Sequence, residues 1–161
     1  MTVLEWLEAT TLAGLVRDSL WGFPIVVAIH ILGMILSAGL LVWMDLRLLG
    51  AALTRYPVSL VTRRLMPWFA VGFAVMFLSG GALFTGYATA AYGNIYFRLK
   101  MVAIVAAGLN ALIYHLATER RIAAWDGDAT PPLGARLAGL TSILLWTGVI
   151  LAGRMMSYTM F

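Results

Sequence analysis

The stretch WGFPIVVAIHILGMILSAGLLVW, from Trp21 to Trp43, contains no Asp, Glu, Lys or Arg. At about 1.5 Å per residue a helix of this length reaches roughly 34 Å, enough to cross a hydrocarbon layer about 30 Å thick. Pro24 falls in what would be the first helical turn, where a missing N–H is tolerated, and Asp45-Leu-Arg-Leu-Leu-Gly50 marks the exit. The segment reads as a transmembrane helix.

Three further apolar segments follow the same pattern. One opens at Pro67 and runs to about 88; another covers 99–118, between Arg98-Leu-Lys100 and Glu119-Arg-Arg121; the last covers 137–158, after Asp126-Gly-Asp128 and Pro131-Pro132. Ahead of them, residues 3–18 place Leu4, Leu7, Leu12, Leu15 and Val16 near helical spacing, with Glu5, Glu8, Arg17 and Asp18 elsewhere. That pattern predicts an amphipathic helix lying at the membrane interface. The expected fold is all-α: an integral membrane four-helix bundle with an N-terminal interfacial helix, in a single transmembrane domain over 1–161.

Composition agrees. Hydrophobic residues make up 62% and charged ones 11%, against about half and a quarter in soluble domains, so water is not the main solvent. The net charge of +4 comes from basic residues dispersed at segment ends, without a stripe or motif for nucleic acid, and none is expected as a partner. The absence of Cys excludes disulfides, thiolate nucleophiles and Cys-ligated zinc or iron–sulfur clusters. An acidic N-terminus, with Glu5 and Glu8, argues against a cleaved signal peptide. No hydrolase triad, phosphate-binding loop or HExxH pattern occurs.

With four spans, one side carries seven basic residues: Arg47, Arg55, Arg63, Arg64, Arg120, Arg121 and Arg136. The other carries four: Arg17, Arg98, Lys100 and Arg154. Cytoplasmic loops are enriched in Lys and Arg, so both termini are expected on the periplasmic side of a bacterial inner membrane.

An ionisable group deep in hydrocarbon is costly, which singles out His30, roughly 13 Å from the outer edge. Gly33 lies one turn on; Gly80, Gly81, Gly108 and Gly148, counted along their own helices, fall near the same depth. Small residues there serve close helix packing or leave room for a flat macrocycle held by His30. Arg98, Lys100 and Arg154 lie above this level, where haem propionates find charged partners or where basic side chains simply snorkel. His115, about 10 Å deeper, is expected at the cytoplasmic interface, with joint ligation of one haem as the lesser alternative. Met34, one turn after His30, offers a His/Met pair for copper, and Met155 and Met156 an entry site for it. Asp45 and Arg47 are expected to fix the cytoplasmic corner, by pairing with Arg63 or Arg64 or by marking the boundary.

His30-Ile-Leu-Gly33-Met, Asp45-Leu-Arg-Leu-Leu-Gly50, Met66-Pro-Trp-Phe-Ala-Val-Gly72-Phe, Phe97-Arg-Leu-Lys100 and Gly153-Arg154 resemble a family of uncharacterised bacterial four-span membrane proteins. The likeness covers most of the chain. That family is distantly similar to copper-resistance D-type membrane domains and, in layout, to HemJ-type haem-binding proteins. The second resemblance matches His30 to a first-span His and Lys100 to a Lys opening a later span, and it implies b-type haem. The expected function is therefore a small membrane cytochrome binding haem b, in electron transfer or as a subunit of a redox complex. A copper-handling protein and a cofactor-free structural subunit are the alternatives. The cytochrome implies as partners the lipid bilayer, a redox protein or larger respiratory complex, and a second copy in a homo-oligomer; an oxidoreductase activity of its own stays open.

Overall fold

The computed structural model describes residues 1–160. Its helices are α1 (Val3–Glu8), α2 (Thr11–Arg17), α3 (Gly22–Leu49), α4 (Val58–Gly86), α5 (Ala88–Gly93), α6 (Ile95–Ile113) and α7 (Leu133–Thr159). From α6 the chain continues through a π-helical turn (Tyr114–Thr118) and a 3₁₀ segment (Glu119–Ala124). Among the described residues, four stretches are long and apolar enough to cross a membrane: α3, α4, α6 with its continuation to Ala124, and α7. The protein is an all-α, multi-pass four-helix bundle.

Large apolar side chains point outward, among them Leu32, Phe77, Val102 and Leu144, each more than three-fifths exposed. Such a surface suits lipid and not water. The interior is instead built from small residues, since helices in a bilayer associate by close approach and not by apolar burial. Helix α3 packs on α4, α6 on α7, and the pairs join mainly through α3 and α7. At the α3–α4 crossing, a Cβ on Gly33 would stand 2.7 Å from the Met76 nitrogen, and one on Gly72 2.8 Å from the Ser37 nitrogen. At the α3–α7 crossing, one on Gly139 would stand 2.9 Å from the Asp45 carbonyl oxygen.

Several helix ends differ from those expected. Helix α3 continues past Trp43 to Leu49, because Asp45 and Arg47 are buried inside the fold, Arg47 with backbone carbonyls as partners, and so do not end the helix. Gly50 stops it at φ +73°, with Gly50 N–H donating to the Arg47 carbonyl and Ala51 N–H to that of Leu46. This is the Schellman pattern, which favours glycine. Helix α4 begins at Val58, after Pro57, so Pro67 is interior and not a first-turn residue; lacking an N–H, it leaves the Arg63 carbonyl without its usual donor. Helix α7 starts at Leu133, directly after Pro132.

Residues 3–18 form two short helices and not one. The Thr10 side chain accepts from the Ala13 N–H and starts α2 afresh. Ala13 and Val16 are buried, with Val16 packed on Gly86 at the end of α4, while Leu12 and Leu15 stay outward. Glu8 accepts from the Thr89 N–H at 2.7 Å and ties this unit to α5. Asn94 caps α6 through the Tyr96 N–H and donates to Thr159 Oγ1 at 2.8 Å, closing the terminal end. At the opposite, arginine-rich end Leu48, Val58, Trp125 and Ala135 make a compact cluster, with Tyr114 and Ile122 against it.

Candidate functional site

His30 lies between α3 and α4, half-buried. Its Nδ1 is 2.9 Å from the Met76 carbonyl oxygen and 3.1 Å from Ser79 Oγ. A carbonyl can only accept, so Nδ1 carries the proton and donates. Ser79 directs its own hydroxyl to the Val75 carbonyl at 2.6 Å, which leaves its oxygen able to accept from the ring. The neutral imidazole therefore presents an unprotonated Nε2, and that atom has no hydrogen-bond partner among the described residues. A backbone carbonyl on the far nitrogen is how proteins fix the tautomer of a ligating histidine.

The glycines near this level separate by role. A Cβ on Gly80 would stand 3.0 Å from His30 Cε1, so Gly80 makes room for the imidazole itself. Gly33 is filled by the α4 backbone. Gly81 and Gly148 are exposed, with nothing within 4 Å of where a Cβ would stand, and Gly108 is equally open but lines a cavity in the other half of the bundle.

Three basic residues stand at the terminal end beside the acidic N-terminal helices. Arg98 donates to the Tyr92 carbonyl at 3.0 Å and lies over the Tyr92 ring; Arg154 donates to the Tyr158 hydroxyl at 2.8 Å and lies over that ring. Lys100 is half-buried beside Gly153. None of the three has a carboxylate partner among the described residues. Met34 is half-buried one turn along α3 from His30, its carbonyl accepting from Ser37 Oγ at 3.3 Å.

His115 is not brought to this site. It stands in the π-helical turn at the arginine-rich end, exposed, with Nδ1 2.6 Å from Glu119 Oε2. Among the described residues no three His, Asp or Glu side chains cluster as metal ligands.

Sequence spacing did not reveal a second polar site, in the arginine-rich half. Arg47 is fully buried, its Nε donating to the Tyr56 carbonyl at 2.8 Å and its Nη2 to the Asp128 carbonyl at 3.0 Å. It thereby holds both loops of that end, and neither Arg63 nor Arg64 pairs with Asp45 among the described residues. Asp45 is 4% exposed. Asp45 and Arg47 border a cavity of about 370 Å³ between α3, α4, α6 and α7, and Ser142 of α7 lines the same cavity. The signal for it was available: a carboxylate and an amide, Asp45 and Asn110, inside otherwise apolar segments.

Compared with known proteins, residues 3–159 match the model of a family of unknown function (DUF6644). No curated protein and no solved structure matches the chain.

Proposed function

We propose that this chain, which belongs to the DUF6644 family, is a membrane b-type haem protein with His30 Nε2 as an axial ligand. The observation that carries it is the Nδ1 donation to the Met76 carbonyl, which leaves Nε2 unprotonated and without a partner. That carbonyl also raises the basicity of the nitrogen that binds. Haem, when bound, carries one electron, and its potential follows from axial ligation, hydrogen bonding and the dielectric around it. Arg98, Lys100 and Arg154 supply positive charge above His30 with no carboxylate to compensate it, as propionates require. The open flanks at Gly81 and Gly148 offer space at the level of the imidazole.

In this reading the site lies in the periplasmic half of a bacterial inner membrane, which the excess of arginine at the other end supports, and its partner is a redox protein or larger complex. The test is the visible spectrum of detergent-purified protein before and after dithionite. A Soret band that shifts on reduction, and is lost in His30→Ala, is expected. A colourless wild type, a His30→Ala variant that keeps the band, or stoichiometric copper in place of haem would each overturn the assignment.

A further inference from the structure

The cavity in the arginine-rich half lies outside the haem reading. Its volume of about 370 Å³ suits the head of a small ligand. Phe69, Phe73 and Trp146 are among its apolar walls, and Asp45, Asn110 and Tyr114 contribute polar groups from two helices. Asn110 and Tyr114 are four residues apart on α6 and its continuation and so share a face. Asn110 Nδ2 donates to the Ala138 carbonyl at 2.9 Å, while its Oδ1 and the Tyr114 hydroxyl have no partner among the described residues. One donor and one acceptor thus stand free on the cavity wall to meet a ligand.

Charge narrows the ligand. Arg47 directs Nε and Nη2 to the Tyr56 and Asp128 carbonyls, and its Nη1 is buried without a partner among the described residues. His115, also on the lining, has Nδ1 2.6 Å from Glu119 Oε2. Acidic and basic groups occur together there, and neither sign of ion is singled out. Glu119 borders both this cavity and an adjoining groove along α4, where Arg63 faces it with the opposite charge and Thr62 and Met66 complete the wall. The fitting molecule is neutral and lipid-soluble, with a ring-sized head that both accepts and donates hydrogen bonds.

We infer that the cavity binds the head of a membrane quinone. The quinone carbonyl accepts from Tyr114, and in the reduced form a ring hydroxyl donates to Asn110 Oδ1 or Asp45. The choice of a quinone among neutral ring-headed lipids rests on the haem reading, because a one-electron carrier in the bilayer calls for a lipid-soluble partner.

Decylubiquinone is titrated into the protein in phosphatidylcholine nanodiscs, with tryptophan quenching as the signal, since Trp146 lines the cavity. The wild type shows saturable quenching. Gly108→Leu abolishes it by filling the cavity: Gly108 lines the space and nothing lies within 4 Å of its missing Cβ, so the helices need not move, which unchanged helical circular dichroism verifies. Tyr114→Phe raises the midpoint about 3- to 10-fold, the worth of one hydrogen bond. Equal quenching in wild type and Gly108→Leu, or displacement by decanol at the same concentration, overturns the inference. The Soret band is read on the same samples. Saturable binding without haem leaves the cavity assignment standing and removes the haem reading; a Soret band without saturable binding does the reverse.

Discussion

Gly33 and Gly39 lie in the same apolar helix, yet a methyl group has opposite consequences at the two. At Gly33 it meets the Met76 nitrogen at 2.7 Å and the Gly72 carbonyl oxygen at 2.9 Å, both backbone atoms that cannot swing aside. At Gly39 it meets nothing within 4 Å. Gly33→Ala is expected to cost about 1–3 kcal/mol, the usual range for overpacking a tight contact. Gly39→Ala is expected to be neutral or stabilising by up to about 1 kcal/mol, from helix propensity alone. Thermal unfolding in detergent, followed by circular dichroism, compares them; equal losses would mean that the α3–α4 crossing is not so close. The depth of Gly33, Gly80 and His30 could be counted from the sequence, because rise per residue is fixed. Which glycine receives a backbone, which an imidazole and which nothing depends on the rotation of each helix against its neighbour, and residue counting carries no rotation. Arg47 shows the same limit: it was legible as the end of a span, but the carbonyl of Asp128 that buries it is 81 residues away.

Helix α4 owes its first turn to a loop from the far side of the sequence. Asp126 Oδ1 accepts from the Ser59 N–H at 2.7 Å and Oδ2 from the Ser59 hydroxyl at 2.6 Å, so the carboxylate sits at the positive end of the helix. Partial desolvation pushes this carboxyl up, but the Ser59 bonds and the Arg47 charge outweigh it and hold it below the usual carboxylate range. A folded-state pKa below the unfolded one adds stability that is fully present above the unfolded value of 3.8 and disappears as pH falls through the folded value. Asp126→Asn is therefore expected to lower the unfolding midpoint at pH 7 and to converge on the wild type as the pH drops below about 4. Chemical unfolding at pH 7, 5 and 3 tests it, and a gap as large at pH 3 as at pH 7 would show that the charge is not what the cap uses. The same capping explains why the start of α4 was misplaced in the sequence. Pro67 is the familiar signal for a first turn, whereas the true start depends on Pro57 and on an acceptor 67 residues downstream.

Across the whole molecule, polarity is divided between the two ends and each half of the bundle has its own chemistry. The terminal half holds His30 with Arg98, Lys100 and Arg154; the other holds Asp45, Arg47 and the cavity that reaches Tyr114. The haem and quinone readings thus place an electron carrier nearer one membrane face and its lipid-soluble partner nearer the other. Which face is which rests on seven basic residues against four, a bias that orients helical proteins but is modest here. The absence of cysteine makes the orientation directly measurable, because a single introduced thiol is the only one to label. Gly93 at the terminal end and Gly127 at the arginine-rich end are both exposed, with nothing within 4 Å of a built Cβ, so a cysteine fits at either without strain. A membrane-impermeant maleimide is expected to label Gly93→Cys in intact spheroplasts and Gly127→Cys only after the membrane is opened. The reverse pattern would place His30 in the cytoplasmic half, and the redox partner that the haem reading proposes would then have to be sought inside the cell.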